Sequence, residues 1–147
     1  MPAAYLNIKD YQALGEFRYL IRRFLRASEK MARAAGLEPQ QHQALLAIKA
    51  LGEPAGLTIS TLAECLLIRH QSAVGLADRI ERRGLVARTP GTQDRREVRL
   101  HPTAAGEEVL ARLSLQHQVE LQVSGPALAR ALGTLLDRAQ GEATATT

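Results

Sequence analysis

A chain of 147 residues is long enough for one domain with a buried core and short for two independent domains. Its hydrophobic content of 46% is ordinary for a globular protein and excludes disordered and fibrous classes. No apolar run approaches the roughly 20 residues that span a bilayer, and the N-terminus lacks the pattern of a secretory signal. The single cysteine excludes an internal disulfide. We therefore expect a cytoplasmic protein that makes no membrane contact.

The first predicted element is a long helix from about Ile8 to Ala34, which Gly36 ends. All aromatic residues of the protein lie within residues 1–24, on this helix or just before it. This clustering indicates either ordinary core or a subunit interface with a small-molecule pocket beside it. The candidates for that interface are Tyr11, Phe17, Tyr19 and Phe24, with Tyr5 upstream. The same helix carries a basic stripe, which is either a solvated face or a surface for an anionic effector or DNA phosphates: Arg18, Arg22, Arg26 and Lys30.

A short helix follows from about Gln40 to Leu51, and Gly52-Glu53-Pro54 ends it. Thr58 then begins a third helix, and a fourth ends at Gly84. The inward residues of the fourth helix are Ala73, Leu76, Ala77 and Ile80. Two short strands, residues 85–88 and 98–100, enclose a basic loop. Two short helices followed by a basic hairpin are the parts of a winged helix-turn-helix, which reads a DNA groove.

The positive charge of the chain lies in this segment. Residues 69–99 hold eight arginines and four acidic residues, so they carry the whole net charge of +4. Such concentration is typical of a phosphate-binding surface. Outward positions of the fourth helix and its start are candidate DNA contacts: Arg69, His70, Gln71, Ser72, Gly75 and Arg79. Arginine suits guanine and glutamine suits adenine. In the hairpin, the candidates are Arg88, Asp94, Arg95 and Arg96.

After Gly106, one helical pattern runs to about Leu121 and a second carries Leu128 to Leu136, with Ser124-Gly125-Pro126 predicted to separate them. The terminal helices carry more apolar surface than one small motif can cover. A twofold homodimer would bury that surface. We therefore predict one domain over residues 1–147, with a winged segment at 36–106 and dimerisation helices at 1–35 and 107–147.

Two motifs carry a family resemblance. Residues 78–86, DRIERRGLV, together with the segment from Asp94-Arg95-Arg96 to Thr103-Ala104-Ala105-Gly106, resemble signatures of the multiple-antibiotic-resistance repressor (MarR) family. The resemblance implies a homodimeric transcription factor that binds a pseudo-palindromic duplex, usually a repressor released by a small ligand or an oxidant. It further implies that Asp94 orients an arginine through a charge-assisted pair, and that Arg96, with Arg95 beside it, reaches the minor groove or a phosphate.

The sequence departs from the family pattern at two positions. Pro102 stands where the family usually has a leucine. A proline is tolerated at this position because the residue before the Thr103 cap is extended. Gly75 replaces a serine or threonine, and it either permits closer approach to DNA or weakens specificity.

For the remaining candidate residues we expect no redox, metal-binding or catalytic role. We expect Cys65 to be a buried packing residue rather than a redox sensor. The four histidines, His42, His70, His101 and His117, match no metal-ligand spacing, so we predict no metal and no cofactor. We also expect no enzyme, because no nucleophile with a base, carboxylate pair or phosphate loop is present.

The predicted function follows from the winged segment and the family resemblance together. We expect a homodimeric DNA-binding transcriptional regulator, and the resemblance implies a repressor that a small-molecule effector relieves. The alternative is a winged-helix dimerisation or protein-interaction module that has lost DNA binding. The arginine excess of residues 69–99 argues against this alternative, whereas Gly75 argues slightly for it.

Overall fold

A computed structural model describes residues 6–144 of the protein; Tyr5 lies outside these residues. The described chain is mostly helical with one small sheet, as predicted. Its elements are α1 (Ile8–Ala34), α2 (Pro39–Gly52), β1 (Leu57–Thr58), α3 (Ile59–Leu66), α4 (His70–Arg82), β2 (Val86–Pro90), β3 (Val98–Pro102) and α5 (Ala104–Thr144). It divides into two compact units: a central unit, residues 29–115, and a terminal unit, residues 6–28 with 116–144.

The helices of the central unit begin at recognisable caps. Glu38 and Gln41 form a capping box at the start of α2, with Pro39 in the first turn. The Thr58 side chain accepts a hydrogen bond from the Thr61 backbone N–H at 3.2 Å and so caps α3. Gly84 follows α4 with a φ of +72°, a conformation that favours glycine. The sequence predicted the start of α3 and the glycine after α4 correctly.

The sheet has the order β1-β3-β2, and both pairings are antiparallel. Only β2 and β3 were predicted, because the two residues of β1 are too few to show an alternating pattern. Pro102 ends β3 in extended conformation, paired with Val86. Thr103 then caps α5 by accepting a hydrogen bond from the Gly106 N–H at 3.1 Å, as expected.

The core of the central unit is closed. Leu45, Ile48, Leu62, Leu76 and Ile80 are almost completely buried. With Leu100 of β3 and Leu113 of α5, they belong to one contiguous cluster. The inward stripe predicted for α4 is therefore confirmed, since all four of its residues are buried.

The C-terminal part of the chain forms one helix, so the predicted break at residues 124–126 was wrong. Helix α5 continues through Pro126 to Thr144. A proline removes one backbone donor and crowds the carbonyl four residues earlier, so it can kink a helix or break it, and here the helix continues. Within this stretch, Ser124 Oγ donates to the Glu120 carbonyl oxygen at 3.0 Å.

In the terminal unit, an ionic contact joins the start of α1 to the last third of α5. Arg138 Nε donates to Asp10 Oδ1 at 2.6 Å, and its Nη2 donates to Asn7 Oδ1 at 3.1 Å. The Asn7 backbone N–H donates to Asp10 Oδ2 at 2.7 Å. This backbone hydrogen bond and the Arg138 guanidinium lower the pKa of Asp10 below its ordinary value of 3.8.

The terminal unit buries little apolar surface. Among its described residues, Ala131 is the one apolar residue that is fully buried. Many large apolar side chains of the unit are exposed: Leu6, Ile8, Tyr11, Leu14, Tyr19, Leu25, Val119, Leu121, Val123, Leu132 and Leu136.

None of the helices in the described range 6–144 is both long and apolar enough to cross a membrane.

Candidate nucleic-acid interface

The N-terminal turn of α4 presents a row of polar side chains to solvent. Arg69 is the N-cap of the helix, and His70, Gln71 and Ser72 form its first turn; all four are exposed. Their orientation follows from the helix period, because the buried stripe that starts at Ala73 holds the opposite face against the core. The structure thus brings these four predicted residues together at one helix end, where unpaired backbone N–H groups favour anions.

Further along α4, Arg79 is exposed and Gly75 is half-buried. A Cβ built at Gly75 would lie 3.4 Å from Arg79 Nη1, the mobile end of a long side chain. The glycine therefore leaves room beneath the Arg79 guanidinium and does not interrupt the helix. Val74 is also exposed, one turn after Gln71 on the same side of α4. The sequence pattern did not single out Val74, since an apolar residue on an exposed helix face resembles core.

The β2–β3 hairpin is here called the wing, and the loop at its tip is closed by its own backbone. The Gly91 N–H donates to the Glu97 carbonyl oxygen at 2.7 Å, and the Glu97 N–H donates to the Asp94 carbonyl oxygen at 3.1 Å. A Cβ at Gly91 would lie 2.5 Å from the Asp94 oxygen, so only glycine fits there. These contacts hold the tip of the wing in one conformation.

Asp94 organises the wing in a different way from the one expected. Its Oδ1 accepts a hydrogen bond from the Arg96 backbone N–H at 2.9 Å, rather than pairing with a guanidinium. Arg95 and Arg96 are exposed, and neither guanidinium meets a carboxylate among residues 6–144. The turn therefore presents two unpaired cations at the tip.

Arg88, also expected to contact DNA, is held within the protein. Its guanidinium forms ion pairs with Asp78 and Glu81 of α4, the second at 3.1 Å between Arg88 Nε and Glu81 Oε2. The side chain of Arg88 is only 29% exposed. Arg88 thus ties β2 to α4. The sequence showed an arginine in a basic segment but not the two carboxylates that the fold places against it.

The eight arginines of the basic segment consequently form two groups. Four engage protein groups: Arg88 as above, Arg82 with the Asp78 carbonyl oxygen, Arg83 with Gln41, and Arg99 with Glu97 and the Gly56 carbonyl oxygen. The other four have no ion pair or side-chain hydrogen bond among the described residues: Arg69, Arg79, Arg95 and Arg96. This second group lies on the start and middle of α4 and the wing tip, and its guanidinium groups are open to a partner.

Cys65 is exposed, so its expected burial was wrong. It lies on α3 one residue before the half-buried Leu66, and a rotation of about 100° per residue carries it off the inner face. The histidines lie on separate elements: His42 on α2, His70 on α4, His101 on β3 and His117 on α5.

The aromatic residues suggested for an interface or pocket belong to the terminal unit. Tyr11 and Tyr19 are exposed, whereas Phe17 and Phe24 are half-buried. Arg23 lies over the Tyr19 ring at 5.9 Å, and Phe24 meets His117 edge-on with ring centroids 6.3 Å apart.

Phe24 also lines a cavity of about 340 Å³, together with Leu20, Arg23, Glu120 and Leu128 among others. Tyr11 lines a smaller cavity of about 220 Å³ beside the Asp10–Arg138 pair. Both cavities are mainly apolar, and each also carries an arginine and a carboxylate: Arg23 and Glu120 in the larger one, Arg138 and Asp10 in the smaller one.

The central unit is thus a winged helix-turn-helix: α3 and α4 form the two-helix motif, and the β2–β3 hairpin forms the wing. Residues 35–97 match the sequence model of the MarR family. The HTH-type transcriptional repressor MdtR of Bacillus subtilis is 38% identical over 80 residues, covering 52% of this chain and 50% of MdtR. The match therefore spans about half the length of this relative. The winged segment at residues 35–97 therefore carries the sequence pattern of the MarR family.

Solved structures agree on the fold. A Staphylococcus aureus MepR mutant bound to an oligodeoxyribonucleotide aligns with a TM-score of 0.64 and 18% identity, over 92% of this chain and 96% of MepR. CouR from Rhodococcus jostii, bound to p-coumaroyl-CoA, aligns with a TM-score of 0.63 and 24% identity, over 71% of each chain. Identities this low establish likeness of fold alone.

Proposed function

We propose that the protein is a homodimeric, sequence-specific DNA-binding transcriptional regulator that acts as a repressor and is released by a small-molecule effector. The observation that carries the proposal is the position of the unpaired arginines. They lie at the start of α4, at Arg79 and at the wing tip, where a winged helix-turn-helix meets DNA, while the other arginines of the segment are bound internally.

In the proposed complex, α4 enters the major groove by its N-terminal turn. Gln71 pairs with an adenine edge, Arg69 with a guanine or a phosphate, and Ser72 with a phosphate. The wing places Arg95 and Arg96 against the minor groove or the adjacent backbone. Because the Asp94 and Gly91 contacts fix the turn before DNA arrives, binding costs little conformational entropy at the wing.

A second copy of the chain is the proposed partner of the terminal unit. The exposed leucines, valines and tyrosines of α1 and α5 form the kind of apolar surface that obligate homodimers bury. A twofold dimer presents two copies of α4, so the preferred duplex is pseudo-palindromic, with half-site centres roughly 34 Å apart or a multiple of this distance.

The effector belongs in the 340 Å³ cavity of the terminal unit. Its walls are largely apolar, and Arg23 offers a cation to an anionic group of a ligand. CouR, which shares the fold, is bound to p-coumaroyl-CoA, and this supports a small-molecule effector.

The proposal is tested by selecting duplexes from a random pool with the full chain and measuring their affinity by fluorescence anisotropy. We expect the selected duplex to bind about 1,000-fold or more tightly than a scrambled duplex of the same length at physiological salt. Equal affinity for both duplexes would contradict sequence-specific reading. Absence of binding to either duplex at low salt would instead support the alternative, a winged-helix interaction module that has lost DNA binding.

A further inference from the structure

Leu67, which connects α3 to α4, combines two properties that are unfavourable for a leucine. Its side chain is 94% exposed. Its backbone has φ 54° and ψ 44°, the left-handed region that glycine and asparagine adopt most easily. Among the non-glycine residues that the structure describes, Leu67 is the only one with a positive φ.

The turn itself requires the left-handed conformation but not the leucine. The Leu67 N–H donates to the carbonyl oxygens of Ala63 and Glu64, and the Ile68 N–H donates to that of Ala63 at 3.0 Å. This pattern closes a helix end, and glycine is the usual residue at such a position. A leucine here adds strain and, being exposed, gains almost nothing from burial within the chain. Strain of this kind is characteristic of functional positions.

The turn lies beside the proposed reading surface. Ile68 packs against the central core and so fixes the turn in place. The next residues are Arg69, His70 and Gln71, all exposed at the N-terminus of α4. Leu67 is therefore an exposed apolar residue just before the polar N-terminal turn of α4. The connection between them is too short for Leu67 to move independently of α4.

We propose that Leu67 makes an apolar contact with the bound duplex, against a thymine methyl group or a deoxyribose carbon, and so contributes to operator affinity. This inference rests on the proposed DNA-binding function. Apolar side chains discriminate thymine by its C5-methyl group in the major groove. Contact with DNA buries the side chain and gives the leucine the partner that the protein itself does not provide.

The inference is tested with Leu67→Asn, which is similar in size, polar and tolerant of a left-handed backbone, and with Leu67→Gly. Relief of strain should raise the Tm of Leu67→Asn by about 2–4 °C. The affinity of both variants for the selected duplex should fall by about 5-fold or more. The slope of log K against log salt should stay unchanged, because no phosphate contact is removed.

Two control variants make the comparison specific. Leu67→Met keeps an apolar side chain and should bind within about 2-fold of the wild type. Leu51→Ala removes an exposed leucine from the end of α2, away from the turn, and should leave affinity unchanged. A gain in Tm together with a loss of affinity is the signature of a residue retained for binding at the expense of stability.

Replacing individual thymines of the selected duplex by uracil distinguishes the two contacts on DNA. If one replacement weakens DNA binding by the wild type but not by Leu67→Gly, the partner of Leu67 is the methyl group of that thymine. If no replacement does so while both variants bind weakly, the partner is the sugar. Wild-type affinity in Leu67→Asn and Leu67→Gly would overturn the inference alone. Failure of the wild-type chain to bind any duplex would overturn the proposed function and this inference with it.

Discussion

The central unit buries most of its large apolar residues, whereas the terminal unit leaves most of its large apolar residues exposed. Residues 29–115 surround a closed cluster, whereas residues 6–28 and 116–144 leave most large apolar side chains exposed, with Ala131 the buried exception among those described. Both units contain stretches of the same two helices, so helix formation does not account for the difference. The central unit brings several short elements of different direction around a core, while the terminal unit consists of two helix segments alone.

This difference indicates where each unit obtains its stability. A closed core stabilises the central unit through internal packing, which tolerates few changes of volume. Among its described residues, the terminal unit has a single ion pair between its helices, Asp10–Arg138, and in our proposal its stability comes mainly from a second copy of the chain. Substitutions should therefore act on folding in the central unit and on assembly in the terminal unit.

The largest effect is expected for Gly106→Ala in the central unit. A Cβ at this position would overlap the Leu85 carbonyl oxygen, a backbone atom that cannot move without displacing β2. We expect the free energy of unfolding, measured in urea, to fall by about 3 kcal/mol or more. Gly15→Ala is the matched control, since no atom lies within 4 Å of its added Cβ. An unchanged unfolding midpoint for Gly106→Ala would contradict the tight packing.

An intermediate effect is expected for Leu136→Glu in the terminal unit. Its side chain is 55% exposed in the single chain, so the charge should cost little in folding. In a dimer it would bury a carboxylate without a partner, which is strongly unfavourable. Light scattering should show twice the monomer mass for the wild type and the monomer mass for the variant.

Leu51→Glu, at an exposed leucine of the central unit, supplies the control for assembly. It should keep the dimer mass, because we place the interface on the terminal unit. The proposed assembly would be contradicted if the wild type were monomeric, or if Leu136→Glu were as dimeric as Leu51→Glu.

The smallest effect concerns the contact between Asp10 and Arg138. Since the pKa of Asp10 is lowered in the folded chain, its carboxylate contributes stability that is present above the ordinary value of 3.8 and is lost as the pH falls through the lowered folded value. Asp10→Asn should therefore lower the Tm at pH 7 and have progressively less effect at pH values below about 4. An equal difference in Tm at pH 7 and pH 3 would show that the charge of Asp10 is unimportant.

The sequence predicted the features that depend on local chemistry. The limits of α1, the Thr58 and Thr103 caps, and the buried stripe of α4 follow from helix period and capping residues, and the structure confirms them. The continuity of α5 through Pro126 was missed because a local breaker signal does not measure the stability of the helix on either side.

Other features depend on contacts between distant residues and were therefore not predictable from a pattern. Arg88 sits against Asp78 and Glu81 because β2 returns along α4, and the division of the arginines into bound and unpaired groups depends on such contacts. Cys65 shows the same limit, because a short helix with apolar residues at Leu62, Ala63 and Leu66 does not define its inner face to within one residue.

The central claim is that α4 reads bases while the wing binds the DNA backbone. It is tested most directly by titrating Arg96→Ala and Gln71→Ala against the selected duplex and a scrambled duplex at several salt concentrations. Arg96→Ala should weaken binding to both duplexes. It should also reduce the slope of log K against log salt by about 1 for each phosphate that the wing no longer binds. Gln71→Ala should cost roughly 1–3 kcal/mol on the selected duplex and little on the scrambled one. If Gln71→Ala weakened binding to both duplexes equally while Arg96→Ala affected only the selected duplex, α4 would contact the DNA backbone and the wing would read bases, the reverse of the proposed roles.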